Sequence, residues 1–204
     1  RTQKREAYTL LYRTQKPRNL YLINIYTTEK LNDTLMNPLA SATSSELQEA
    51  RERGSFDFLE LIVNRISESV AGELNGDTMA RLTPEQITLW AYWIFRSEVL
   101  DGGHVQLIYN GYGPFIYRNP FAHVMKLWGL TDFAKFINKG HTLYKKHEAE
   151  ITQERSDEEF MAMYENFEDF DDLDDAFVIH EEEITDQIAD YVNEQISQFV
   201  TIKN

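Results

Sequence analysis

Apolar residues recur at spacings of three and four along most of this chain, and the segments that carry them open and close on helix punctuation, so the chain is bound to packed amphipathic helices. Phe58, Leu59, Ile62, Val63, Ile66 and Val70 form one such stripe, with Asp57, Glu60, Asn64, Arg65 and Glu68 mostly opposite. Gly72, Asn75 and Gly76 close it. The strongest start signal follows: Thr83 suits an N-cap, Pro84 the first helical position, and Gln86 the third, where it completes a capping box. Ile87, Trp90, Ala91, Ile94 and Val99 continue that helix to Asp101-Gly102-Gly103. A short helix resumes over His104–Tyr109 and breaks at Asn110-Gly111-Tyr112-Gly113-Pro114.

Further helices are expected from Phe121 to Trp128, ended by Gly129, and from a Thr131 cap, where Gly140 weakens continuity. Ser156 and Glu159 form a capping box ahead of Phe160, Met163 and Tyr164. The last helix is expected from about Glu181 to Val200, with Ile184, Ile188, Tyr191, Val192, Ile196 and Phe199 inward. Ser41–Ser45 reads as a turn or loop. The β-forming run Leu20–Tyr26 is the one candidate strand. The fold class is therefore all-α, an irregular multi-helix bundle with room for one short N-terminal strand. Residues 1–80 are expected to be an N-terminal extension whose amphipathic helix packs on the core, and residues 81–200 a helical domain.

Charge is segregated. Glu154 to Glu194 holds 17 acidic residues and one basic residue, Arg155, a net of 1 − 17 = −16, while the rest of the chain nets +2 of the total −14. Such a field repels nucleic acid and anionic membrane and attracts basic proteins or cations. Arg1, Lys4, Arg5, Arg13, Lys16 and Arg18, against Glu6 alone, make the first twenty residues basic, as suits a solvated terminus or a tail that meets the acidic segment.

The chain has no cysteine, which excludes disulfides, thiolate nucleophiles and Cys-ligated metals. No apolar run reaches the length of a membrane span, and the cytoplasm is the default expectation, although a chain that begins at Arg1 is open to trimming or processing. His104, His123, His141, His147 and His180 form no zinc-helix pattern. The run starting at Asp169 fails as a calcium loop, because Leu173 and Asp174 fall where a ligand and a glycine are required. No phosphate-binding loop or nucleophile elbow is present, so no metal or cofactor is expected.

At Glu98-Val-Leu-Asp-Gly-Gly-His-Val-Gln-Leu-Ile-Tyr-Asn-Gly-Tyr-Gly113 the sequence resembles the bacterial DNA-mimic protein family. Thr83-Pro84-Glu85-Gln86 with Trp90, the helix reaching Gly129 and the late Asp-rich segment before a final helix extend the resemblance over about Leu82 to Val200. His104 stands where an aromatic such as Phe is common, and about eighty residues precede the signature. The resemblance implies an all-helical fold and a dimer whose acidic, DNA-sized surface occupies the DNA-binding face of a transcription regulator.

Gly102 and Gly103 are expected to end one helix through a positive-φ residue, with Glu98, Gln106 and Asn110 bridging the kink by bonding exposed backbone N–H groups and Gly113 breaking the chain beyond it. On the final helix Glu182, Asp186 and Asp190, continuing to Glu194, rise by about 6 Å per step, close to the separation of phosphates along a DNA strand. Glu183 joins this face, and Asp169, Asp171, Asp172, Asp174 and Asp175 are expected to add a second row from the preceding loop or turn. The favoured function is an acidic protein-binding module, a DNA-like decoy for a basic or DNA-binding protein, with no direct nucleic-acid or membrane contact and with homodimerisation open. Two alternatives stand beside it: a small-ligand binder or enzyme built on Glu98–Asn110, and a structural domain with a solvated acidic face.

Overall fold

The computed structural model describes residues 38–163 and 166–204. Nine α-helices, α1 (Ser44–Arg53), α2 (Ser55–Ser69), α3 (Gly76–Met79), α4 (Pro84–Tyr109), α5 (Gly113–Tyr117), α6 (Phe121–Leu127), α7 (Thr131–Ile151), α8 (Asp157–Met163) and α9 (Asp171–Glu194), lie among these residues. Short 3-10 turns at Glu168–Phe170 and Ile196–Gln198 flank α9. Strands β1 (Ser41–Thr43) and β2 (Thr201–Lys203) pair in parallel, with Ser41 opposite Thr201 and Thr43 opposite Lys203. The chain is thus an irregular helical bundle with a minor open β element.

Helix α4 is the hub. Nearly every side chain from Gln86 to Phe95 is buried, because α2, α5, α6, α7 and α9 all pack around it. Phe95 sits at the centre of an aromatic cluster: Phe121, Phe133, Phe136 and Phe177 lie 5.1–6.3 Å from it, ring centre to ring centre. These edge-on and tilted arrangements bring the positive ring edge toward a negative face. Phe177 comes from α9, so the acidic helix contributes to the deepest part of the core.

The capping box at the start of α4 is formed. Gln86 N donates to Thr83 Oγ1 at 3.1 Å, and Thr83 N donates to Gln86 Oε1 at 2.9 Å. Both caps also reach the end of the chain, Thr83 Oγ1 donating to Gln198 O and Gln86 Nε2 to Phe199 O. Thr83→Ala removes a cap and a tie to the C-terminal turn at once. It is expected to cost about 1–2 kcal/mol, read as a fall of several degrees in melting temperature, and Thr83→Ser is expected to restore most of it.

Four local expectations are corrected. Ser41–Ser45 is not a loop: it forms β1 and the first turn of α1, because Thr43 and Glu46 build a reciprocal capping box and β2 supplies a strand partner from the far end of the chain. Thr131 does not cap α7; Leu130 is the cap residue, without a side-chain bond, and Thr131 lies inside the first turn. Helix α7 runs unbroken through Gly140, where a Cβ would stand 2.9 Å from Tyr117 Oη and 3.2 Å from His104 Nε2, so glycine there serves close packing. The last helix starts at Asp171, ten residues before the expected Glu181, and ends at Glu194. The Leu20–Tyr26 strand and the basic first twenty residues lie outside the described residues.

Candidate acidic interaction face

Helix α9 buries Leu173, Phe177, Glu181, Thr185, Ile188, Ala189 and Val192. Two members of that stripe are polar, and both are bonded. The carboxylate of Glu181 accepts from Arg96 Nε and from Thr185 Oγ1, the latter at 2.7 Å, and Thr185 lies 2.7 Å from Tyr92 Oη. Arg96 and Tyr92 belong to α4, so this chain of bonds fastens the middle of α9 to the hub. Burial and the neighbouring carboxylate raise the Tyr92 phenol above its usual range, so it stays neutral and able to donate.

A second anchor holds the N-terminal half. Asp174 Oδ1 accepts from the backbone N of His104 at 3.0 Å and lies 2.5 Å from His104 Nδ1. The His104 ring is fully buried, stacked on Phe170 with its centre 5.6 Å away and edge-on to Phe95. An imidazole here packs as an aromatic and bonds α9 as well. The close approach depends on Gly103, whose φ is +71° and whose missing Cβ would press on the Asp174 carboxylate, with Cγ only 2.9 Å away. The expected positive-φ break at the glycine pair is present: Gly102 and Gly103 both leave helical geometry inside α4.

The remaining signature residues flank the kink on both sides. Glu98, buried, accepts from Gln106 Nε2 at 3.1 Å and Asn110 Nδ2 at 2.8 Å, and Gln106 also donates to Asp101 at 2.9 Å. They bridge the kink as expected, but through one another's side chains. Gly113 is buried against the Tyr144 ring, which comes within 2.5 Å of where a Cβ would stand. Glu98 and His104 are thus buried and bonded, not open to a substrate, which removes the general base that the enzyme alternative required. Among the described residues no group of His, Asp and Glu side chains is arranged to hold a metal ion.

The carboxylates of α9 and the turn before it divide into three sets. Asp174 and Glu181 are spent inward. At the rim, Asp190 pairs with Arg51 of α1, and Asp169 accepts from Lys146 and from His147 Nε2 at 3.0 Å, which hold its carboxyl below the usual aspartate range. Asp171, Asp172, Asp175, Glu182, Glu183, Asp186 and Glu194 are exposed. Glu183 keeps local company, accepting from Gln187 at 3.2 Å and lying 3.7 Å from His180. Asp171, Asp172 and Asp175 extend the helical row itself and do not form a separate loop row, because α9 begins at Asp171; Asp171, Asp172 and Asp174 occupy its first turn, where the helix dipole favours negative charge.

The density of this charge is specific. Ten of the 24 residues of α9 are Asp or Glu, and none is Lys or Arg. At about 1.5 Å of rise per residue that is roughly one carboxylate per 3.6 Å of axis, against about 3.4 Å per phosphate of one DNA strand. Setting aside Asp174 and Glu181 leaves roughly one per 4.5 Å on the outer surface. Sequence reading missed the inward anchors Arg96–Glu181 and His104–Asp174. The available signal was Glu181 itself, which falls four residues after Phe177 at a position the stripe reserves for burial.

No described helix is long and apolar enough to cross a membrane. A DNA mimic protein of Neisseria meningitidis serogroup B, DMP19, is similar to this chain, 27% identical over 156 residues, which cover 76% of this chain and 94% of the relative. That stretch is longer than the segment matched by the family model, residues 80–195. The matched segment takes in the capped hub helix, the Gly102-Gly103 kink, its Asp174 partner and the whole of α9, and the chain belongs to the DMP19-like protein family.

Proposed function

We propose that this protein binds basic, DNA-binding proteins through the outer surface of α9 and acts as a DNA-like decoy that sequesters a regulator. The observation that carries the reading is the set of outward carboxylates on α9, roughly one per 4.5 Å of axis against about 3.4 Å per phosphate of a DNA strand, in a helix with no Lys or Arg. A DNA-binding surface places Lys and Arg to neutralise phosphates, and a rigid ladder of carboxylates offers those cations the same partners. The inward anchors at Asp174 and Glu181 and the rim contact at Asp190 support this use, because a ladder fixed at those three points keeps its spacing when a partner approaches. The similarity to a protein named as a DNA mimic supports the partner class. A regulator as partner places the action in the bacterial cytoplasm, where the DNA is.

The test uses the full chain with Glu182, Asp186 and Glu194 reversed to lysine, all three being exposed positions. Wild-type protein is expected to retain DNA-binding proteins from its native lysate, to release them to added duplex DNA, and to hold them less well as salt rises. The triple variant is expected to keep its helical spectrum and lose that capture. Equal capture by the variant, or captured proteins that duplex DNA does not displace, would refute the reading.

A further inference from the structure

The outer surface of α9 is not uniformly acidic. Ile179 is 75% exposed, more than any other large apolar residue described, and its neighbour Val178 is 59% exposed. They occupy the interval between Asp175 and Glu181, the longest stretch of the helix without a carboxylate. By helical spacing Ile179 lies beside Asp175, Glu182 and Glu183, and Val178 beside Asp175 and Glu182, so the pair is bordered by charge on both sides. Neither helix propensity nor core packing explains them: β-branched residues are weak helix formers, and these two face water.

We infer that Val178 and Ile179 are the apolar centre of the binding face, and that the segment seated on it is a helix of a DNA-binding protein with an aliphatic side chain flanked by Lys and Arg. This rests on the proposed reading of the acidic face and makes it more specific. Interfaces concentrate affinity in a small desolvated centre with a charged rim, and α9 has that plan. The same plan exists in DNA, where phosphate rows border a major groove whose thymine methyl groups make apolar contacts with recognition helices. The carboxylates then stand for phosphates and the branched methyls of Val178 and Ile179 for thymine methyls. Charge decides the occupant: α9 has no Lys or Arg, so the same face of a second copy would set carboxylate against carboxylate.

The probe is a synthetic helical peptide bearing Lys and Arg around a central Leu, compared with the same peptide carrying Gln at its centre. Affinities are measured by fluorescence anisotropy on the full chain across a range of KCl concentrations. Val178→Ser with Ile179→Ser is expected to weaken the Leu peptide at least tenfold at every salt concentration, leaving the slope of affinity against salt unchanged. Wild type is expected to bind the Gln peptide about tenfold more weakly than the Leu peptide, and the double variant to lose little more. Glu182→Gln with Asp186→Asn is expected instead to flatten the salt slope. If the serine variant binds the Leu peptide as wild type does while the amide variant still flattens the slope, the apolar centre is wrong and the acidic face survives. No saturable binding of the Leu peptide to wild type, or no effect of either variant, removes both. If sedimentation shows wild-type dimers, serine-variant monomers and unchanged peptide affinity, the pair belongs to self-association and the inference is overturned.

Discussion

Gly103→Ala is expected to lower stability by about 3 kcal/mol. The backbone at φ +71°, ψ −174°, a region essentially only glycine adopts, accounts for about 1–3 kcal/mol of that. Displacing Asp174 from His104 accounts for a similar share, since a bond to a charged group is worth about 1.5–3 kcal/mol. For a chain of this size the melting temperature should fall by roughly 6–12 °C, and the first turns of α9 should exchange their amide hydrogens faster than the rest of the helix. The two contributions separate in an Asp174→Ala background, where Gly103→Ala should cost only the backbone share. A melting temperature within about one degree of wild type would show that the kink and the acidic helix are not coupled through this contact. The signature glycine pair would then concern the turn alone.

Arg96→Ala should have an effect of the same order through a different cause. Arg96 and Glu181 are 17% and 11% exposed at their side chains, and the guanidinium also lies 4.7 Å over the Phe56 ring. Removing the cation leaves the carboxylate of Glu181 in the core with Thr185 as its remaining donor, and breaking a buried pair from one side costs about 3–5 kcal/mol. Because the partner charge is what makes that loss large, Arg96→Ala combined with Glu181→Gln should recover a substantial part, the amide oxygen still accepting from Thr185. Denaturant unfolding of the two variants decides it: a double variant no more stable than Arg96→Ala would mean that lost packing over Phe56, and not the stranded charge, dominates.

These two changes also bear on how the acidic segment is read. In the sequence, ten carboxylates in and around one amphipathic pattern look equivalent. In the molecule Asp174 and Glu181 are internal fasteners and Asp190 is a rim contact, while the exposed carboxylates are the ones available to a partner. Substitutions at the first group should act on stability, and those at the second on binding.

The capped start of α4, the stripe of α2, the break at Gly102-Gly103 and the ends at Asn110 and Gly129 were legible because each is decided within a few residues. A cap satisfies its own first turn, and a positive-φ glycine needs no distant partner. The start of α9 was not legible. Its first ten residues carry Asp171, Asp172, Asp174 and Asp175, and its buried stripe passes through Glu181 and Thr185, polar residues where a helical period calls for apolar ones. Those positions are tolerable only because Arg96 and Tyr92 arrive from a helix about ninety residues earlier. The strand at Ser41–Thr43 was hidden in the same way, since its ladder partner is Thr201–Lys203. The exposure of Val178 and Ile179 was hidden too, because which side of α9 meets solvent is set by what packs on the other.

The sequence by itself therefore determined the helical class, the bounds of α2, α4 and α6 to within a residue or two, the segregation of charge and the family signature, all of which follow from local backbone preferences and simple composition. Tertiary structure alone decided which carboxylates are anchors and which form the face, because that choice depends on bonds between residues far apart in the chain, whose desolvation favours pairing and leaves only the unburied charges to water or to a partner.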